Sequence, residues 1–169
     1  QKEQLQSLRL IAQGGDYIKP SLVSKIREQL PNTRLFSLGG PTETTIWSIW
    51  HEINEQDQEI IPYGKALENN RYYILDENLK PCQMREVGTM YMSGLNLSNG
   101  YLLDGEIYYK DFVEIQVSEN ETQTAFRMSD QGYFREDGNI IFAGREDGYL
   151  KIKGVRISAA EVENALTKN

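Results

Sequence analysis

The most constraining feature of the chain is the order of elements in residues 8–38. Leu8-Arg9-Leu10-Ile11-Ala12 is a short, mostly apolar run, as expected of a buried parallel strand. Gly14-Gly15-Asp16 breaks it, and Pro20 stands where a first helical turn would begin. Leu22, Val23, Ile26 and Leu30 follow at helical spacing, so residues 20–30 read as an amphipathic helix that Pro31-Asn32 ends. Arg34-Leu35-Phe36-Ser37-Leu38 is a second short strand. This β-α-β order predicts parallel strands joined by a right-handed crossover. One such unit cannot cover both faces of a parallel sheet, so it reads as the end of a larger α/β layer.

After residue 50 the pattern changes. A β-rich run, Thr44-Thr45-Ile46-Trp47-Ser48-Ile49-Trp50, leads into short strands at 71–75, 88–93, 107–115, 124–128 and 139–144. Asp76-Glu77-Asn78, Asp104-Gly105, Ser118-Glu119-Asn120 and Asp137-Gly138 supply turn chemistry between them. The spacing predicts a barrel- or sandwich-like β lobe. Residues 149–152 and 155–157 then read as a hairpin, and Ser158 with Glu161 as a capping box that opens a helix. The expected fold is therefore α/β: the end of a parallel α/β unit, a β-barrel-like lobe, then the hairpin and helix of a small C-terminal lobe. The boundaries fall at residues 1–50, 51–146 and 147–169, and both ends read as cuts within a larger protein.

Composition removes several classes. No stretch approaches the roughly 18 apolar residues of a membrane helix, and no apolar segment follows a basic start as in a signal peptide. Lys plus Arg number 18 against 25 Asp plus Glu, a net charge of −7 with no basic run, so charge gives no footprint for nucleic acid. The single Cys82 forms no intrachain disulfide and suits a reducing compartment, the cytoplasm. One His, His51, beside one Cys makes a zinc cluster implausible.

The densest chemical signal is Gly39-Gly40-Pro41-Thr42-Glu43-Thr44-Thr45. Glycines after a strand let backbone approach a ligand, and the carboxyl end of a parallel strand is where open α/β sheets place ligands. Thr hydroxyls donate to phosphate oxygens, and a Glu suits Mg²⁺, which takes one or two carboxylates plus substrate phosphates. By chemistry alone, a plain Gly-Pro turn before a strand explains the loop equally well.

Further motifs change that balance. Gly40-Pro41-Thr42-Glu43, Gly88-Thr89-Met90-Tyr91-Met92-Ser93-Gly94 with Gly100-Tyr101, Phe126-Arg127-Met128-Ser129-Asp130, and Gly144-Arg145-Glu146-Asp147 with Lys151-Ile152-Lys153-Gly154-Val155-Arg156-Ile157 run in one order. In that order and spacing the chain resembles the adenylation domains of nonribosomal peptide synthetases, within the adenylate-forming superfamily that includes acyl-CoA synthetases. The resemblance implies that Thr42 holds the α-phosphate of ATP, Glu43 holds Mg²⁺, Asp130 takes the ribose hydroxyls and Arg145 contacts the nucleotide. It implies that Gly39, Gly40 and Pro41 line the nucleotide. Asp147 would be the hinge of the small lobe, and Lys151 would ride on the hairpin that swings in for thioester formation. The implied chemistry has two steps: ATP and a carboxylate give an acyl-adenylate and pyrophosphate, then the acyl group passes to a phosphopantetheine thiol on a carrier-protein domain.

Two departures matter. The family's loop usually carries an adenine-stacking aromatic just before Gly-Pro-Thr-Glu, where this chain has Gly39. A Gly-Gly version resembles cysteine-activating, siderophore-type domains, which also place Leu, Ile and Trp where this chain has Leu38, Ile46 and Trp47. With Ala12 and Gly14 these imply a small substrate pocket suited to Cys, with Ser, Thr or a small apolar amino acid behind it. Ile46 and Trp47 as ordinary strand residues facing a core remain the alternative. The second departure is the loose Met128-Ser129-Asp130 version of its motif.

The family's Ser/Thr-Lys phosphate loop and substrate-amine aspartate would lie upstream, and its C-terminal lysine downstream. The expectation is a fragment inactive by itself, needing the missing parts of its own adenylation domain, with a tailoring domain inserted near residue 169 as one further guess. An acyl- or aryl-CoA ligase fragment and a degenerate, non-catalytic adenylation scaffold stay open beside it.

Overall fold

The computed structural model describes Leu5, residues 7–146 and the backbone of 149–152 and 155–158. The hinge position Asp147, the Lys151 side chain and the helix expected after Ser158 lie outside the described residues.

The first sheet begins with β1 (Leu10–Gln13) and β2 (Arg34–Gly39), which pair in parallel with Leu10 opposite Arg34 and Gln13 opposite Ser37. Helix α1 (Pro20–Gln29) joins them, with Pro20 at its first position as the sequence predicts. Its apolar face is narrow. Val23 is buried and Ile26 half-buried against Ile18, Leu35, Ile53 and Ile61, while Leu22 stays exposed. The sequence predicts a buried first strand; the structure corrects this. Leu10 is 46% exposed, because β1 is an edge strand among the described elements and one helix covers only one face.

Strands β3 (Ile49–Ile53) and β4 (Lys65–Ala66) complete this sheet, β3 antiparallel to β2 and β4 antiparallel to β3, in the order β1-β2-β3-β4. β3 alternates buried Ile49, His51 and Ile53 with exposed Trp50 and Glu52, the period-2 signature of a half-buried strand. The expected strand over 44–50 is corrected: only its last two residues are extended, because Thr45 and Ile46 adopt left-handed backbone.

The second sheet is antiparallel: β5 (Asn70–Leu75), β6 (Gly88–Gly94), β10 (Glu121–Phe134) and β11 (Ile140–Arg145) in the order β11-β10-β6-β5. β9 (Phe112–Ser118) pairs with the first half of β10. The α/β class stands, but the β lobe is an open sheet rather than a closed barrel. β7 (Tyr101–Leu103) and β8 (Glu106–Tyr108) form a separate hairpin around Asp104-Gly105. The expected strand 107–115 is therefore two, broken where Asp111 takes φ 66°. β12 (Tyr149–Ile152) and β13 (Val155–Ser158) pair antiparallel as the sequence predicts.

One core joins the two sheets. Tyr72, Ile74, Met90, Met92, Phe126, Met128 and Ile140 of the second sheet pack with Ile49 of the first. A backbone bridge between Gly64 and Ile140 stitches the sheets at the same place, with N–H···O distances of 3.2 and 2.7 Å. A second cluster, Leu75, Tyr91, Ile115 and Ala125, also packs within the second sheet.

Candidate functional site: a glycine loop facing an acid–base pair

β2 ends at Gly39, and the chain turns at Gly40 with φ +136°, a conformation that side-chain-bearing residues rarely adopt. A Cβ at Gly40 would also lie 2.6 Å from Ser48 Oγ. Pro41 then leads into a single 3₁₀ turn, Thr42–Thr44. Thr44 is fully buried and anchors this turn. Its hydroxyl donates to the Pro41 carbonyl (3.0 Å) or shares a hydrogen bond with Ser48 Oγ (2.7 Å), which in turn meets the Tyr72 hydroxyl at 2.7 Å. Burial pushes the Tyr72 hydroxyl well above the usual tyrosine range, so this hydroxyl chain stays protonated.

With Thr44 pinned inward, Thr42 is left exposed and Glu43 half-buried at the rim. The Glu43 carbonyl accepts from the Ser98 N–H (2.8 Å), and its carboxylate accepts a hydrogen bond from the Tyr101 hydroxyl. Burial, then the neighbouring Glu43, raise the Tyr101 hydroxyl above its ordinary range, so it remains a donor. Thr45 and Ile46 follow with φ of 57° and 69°. Left-handed backbone at a β-branched residue costs about 1–3 kcal/mol and marks functional segments more often than frames. It is also why no strand forms over 44–48. The segment is clamped from across the fold: Thr45 Oγ1 donates to the Asn96 carbonyl (2.7 Å), and Asn96 Nδ2 donates to the Trp47 carbonyl (2.9 Å).

The acid–base pair comes from β10 and β11. Asp130 and Arg145 are direct register partners, and their side chains meet at 3.0 Å. The pairing of β10 shifts register with β6 between Arg127 and Gln131, and with β11 between Gln131 and Gly132. Such irregularities re-aim side chains and are common beside active sites. Tyr63 brings the two halves together. Its hydroxyl meets the Gly40 backbone and lies in the field of both Asp130 and Arg145. Burial first, then Tyr72 and Asp130, push that hydroxyl well above the ordinary range, opposed by the Gly40 N–H and Arg145.

The predicted substrate-pocket residues are distributed differently. Ala12 sits on β1, exposed, and Gly14 follows it beside Leu38, which is half-buried. Ile46 and Trp47 are 63% and 55% exposed, so neither faces a core among the described residues. Two participants carry no role in the sequence reading. Tyr101 belongs to a motif without an assigned task, and Tyr63, in Pro62-Tyr63-Gly64, follows no periodic pattern.

Among the described residues no group of three or more His, Cys, Asp or Glu gathers, and no helix is long and apolar enough to cross a membrane. Glu43 is a lone rim carboxylate with one oxygen engaged by Tyr101. That donor set fits Mg²⁺ held chiefly by substrate phosphates and water, not a metal caged by protein.

Known proteins resemble this chain in sequence and in fold. The chain is 37% identical over 164 residues to bacitracin synthase 1 of Bacillus licheniformis, covering 96% of this chain and 3% of that protein. It superposes with TM-score 0.83 and 28% identity on PA1221, a nonribosomal peptide synthetase protein containing adenylation and PCP domains, covering 99% of this chain and 34% of that one. It superposes with TM-score 0.76 and 39% identity on the nonribosomal peptide synthetase FmoA3 (S1046A) in its α-methyl-L-serine-AMP bound form, covering 85% and 16%. The chain thus spans a small part of the curated relatives it matches. The sequence profile of the AMP-binding enzymes matches residues 1–102, which hold the glycine loop, Glu43, Tyr63 and Tyr101, and the chain belongs to that family.

Proposed function

We propose that this chain supplies the nucleotide-facing half of an amino-acid-activating adenylation domain, which joins a carboxylate to ATP as an acyl-adenylate and passes the acyl group to a carrier-bound phosphopantetheine thiol. One observation carries the reading. The Tyr63 hydroxyl, beside the Gly40 backbone, lies within electrostatic reach of Asp130 and Arg145, whose side chains, about a hundred residues along from Gly40, meet at 3.0 Å. In this reading Asp130 accepts the ribose hydroxyls, since a carboxylate suits a vicinal diol. Arg145 offsets negative charge beside it. Thr42 donates to the α-phosphate from its exposed position, and Glu43 holds Mg²⁺ at the rim, oriented by Tyr101. Catalysis then rests on positioning and on neutralising charge at phosphorus, so no Ser or His nucleophile is required.

The finer assignments belong to the same reading. Asp147 acts as hinge and Lys151 serves the thioester step. The division at residues 50 and 146 separates three functional parts. Ala12, Gly14, Leu38, Ile46 and Trp47 select a small amino acid, Cys first, in a cytoplasmic enzyme that is inactive as this segment alone. The relatives named above support an amino-acid adenylate: two are nonribosomal peptide synthetase proteins, and one of these was solved with α-methyl-L-serine-AMP.

Amino-acid-dependent ATP–pyrophosphate exchange by the full-length protein tests this, with Cys, Ser, Thr, Val and salicylate as substrates and Glu43→Gln as control. Exchange with Cys, lost in the control, supports the whole reading. Exchange with another acid keeps the enzyme and discards the pocket assignment. A folded protein that exchanges with none refutes catalysis and leaves a non-catalytic scaffold.

A further inference from the structure

Gly39 is hemmed in by an aromatic ring. A Cβ built on it would lie 1.9 Å from Tyr63 Cε2, 2.4 Å from Cζ and 2.6 Å from the hydroxyl oxygen. These distances are far inside van der Waals contact, so any side chain at position 39 and the Tyr63 ring exclude each other. The ring is also held in place. The Tyr63 N–H donates to the Ile140 carbonyl (2.9 Å), and the neighbouring Gly64 bridges Ile140 in both directions. The ring packs on the core cluster that contains Ile49 and Ile140, yet remains partly exposed. Tyr63 therefore presents an aromatic surface over bare glycine backbone, within electrostatic reach of the Asp130 carboxylate and the Arg145 guanidinium. A flat heteroaromatic base joined to a diol and a phosphate chain has the shape and charge to meet all three.

We propose that Tyr63 is the base-positioning residue of the nucleotide site, delivering from across the sheet the aromatic face that position 39 lacks. The proposal rests on the adenylation reading above. It also explains why Gly is required at position 39, which the glycine loop alone does not.

The test uses the full-length protein with Tyr63→Phe, Tyr63→Leu, and the exchange pair Gly39→Tyr with Tyr63→Leu, each checked for unchanged melting. Binding of ATP and of inorganic tripolyphosphate is measured calorimetrically, and KM for ATP and for the amino acid by pyrophosphate exchange. Removing a stacked aromatic weakens ATP binding roughly tenfold. Tyr63→Leu is expected to raise the Kd and KM for ATP by that factor while leaving tripolyphosphate affinity and the amino-acid KM unchanged. Tyr63→Phe keeps ATP affinity within about twofold, and the exchange pair restores it. Equal loss of ATP and tripolyphosphate, unchanged ATP binding in Tyr63→Leu, or failure of the exchange pair to restore binding would each overturn the proposal. Should Tyr63→Leu unfold, nuclear Overhauser contacts between AMP base protons and the Tyr63 ring in the wild-type protein decide instead; their absence overturns it. A wild type that binds ATP but exchanges with no amino acid refutes the adenylation reading while the binding arms still judge Tyr63.

Discussion

Tyr101→Phe isolates one hydrogen bond at the proposed metal site. The ring of Tyr101 meets Phe112 edge-on at 6.1 Å between centroids, and a Phe retains that contact. The Glu43 backbone stays held by the Ser98 N–H. What is lost is the hydroxyl donating to the Glu43 carboxylate. Hydrogen bonds to charged groups contribute about 1.5–3 kcal/mol when shielded. Tyr101 is 36% exposed, so water replaces part of the interaction, and about 1 kcal/mol is the appropriate scale. That corresponds to roughly fivefold in kcat/KM, accompanied by a higher Mg²⁺ concentration for half-maximal rate. Because burial and Glu43 both raise the Tyr101 hydroxyl, it stays protonated at all working pH values, and the defect should not vary between pH 6 and 9. The assay is pyrophosphate exchange in the full-length protein with Mg²⁺ titrated at fixed ATP. An unchanged Mg²⁺ midpoint, with kcat/KM within twofold of wild type, would refute the idea that Tyr101 orients a metal-bearing Glu43.

Other consequences arise from the packing. Asp57 is almost fully buried, accepting from His51 Nε2 (2.7 Å) and the Asn54 N–H (2.9 Å) with Arg135 3.8 Å away. Asp57→Ala should therefore cost about 1–3 kcal/mol for each buried donor left unpaired, seen as faster amide exchange over residues 49–57; unchanged exchange would show the cluster to be dispensable. Met90 is fully buried where the two sheets join, so Met90→Ala should cost about 2–5 kcal/mol in urea unfolding, and a loss below 1 kcal/mol would contradict the packing. The Asp137 carboxyl is held well below the usual carboxylate range by its hydrogen bond to Arg135, then by Asn139. A depressed folded-state value means the stabilisation is fully present above the unfolded value of about 3.9 and is lost as pH falls below it. Asp137→Asn should lower the melting temperature at pH 7 to 8, and that deficit should shrink as pH falls below about 4; a parallel shift at every pH would exclude this linkage.

The frame of this fold was legible because its elements follow simple periods. Pro20 at a helix start, the buried run of β2 and the Asp104-Gly105 turn each reflect a local rule that tertiary context left intact. Propensity misleads where a neighbour overrides it. Thr44 through Ser48 is rich in strand-formers, yet the buried Thr44–Ser48–Tyr72 hydroxyl chain and the Asn96 clamp fold it into a turn with left-handed Thr45 and Ile46. β1 looked buried because its residues are apolar, but apolar content does not report which faces are covered.

The candidate site was legible for a different reason: its residues sit at departures from regular structure, and departures carry motifs rather than periods. Gly40 turns with φ +136°, Asp130 lies in the stretch where β10 changes register, and Gly144, with φ +143°, precedes Arg145. Each position needs a particular residue type, so each leaves a recognisable mark in the sequence. Tyr63 leaves none and Tyr101 leaves a motif without a task, because a tyrosine is at home in any strand or turn and its task depends on what stands opposite. Gly39 shows the connection. In sequence it is only a missing side chain; in the fold that space is filled by the Tyr63 ring from the segment ahead of β4. A gap at one position and an aromatic 24 residues later are thus one feature. A side chain at position 39 is expected to be tolerated only when the Tyr63 ring is removed with it.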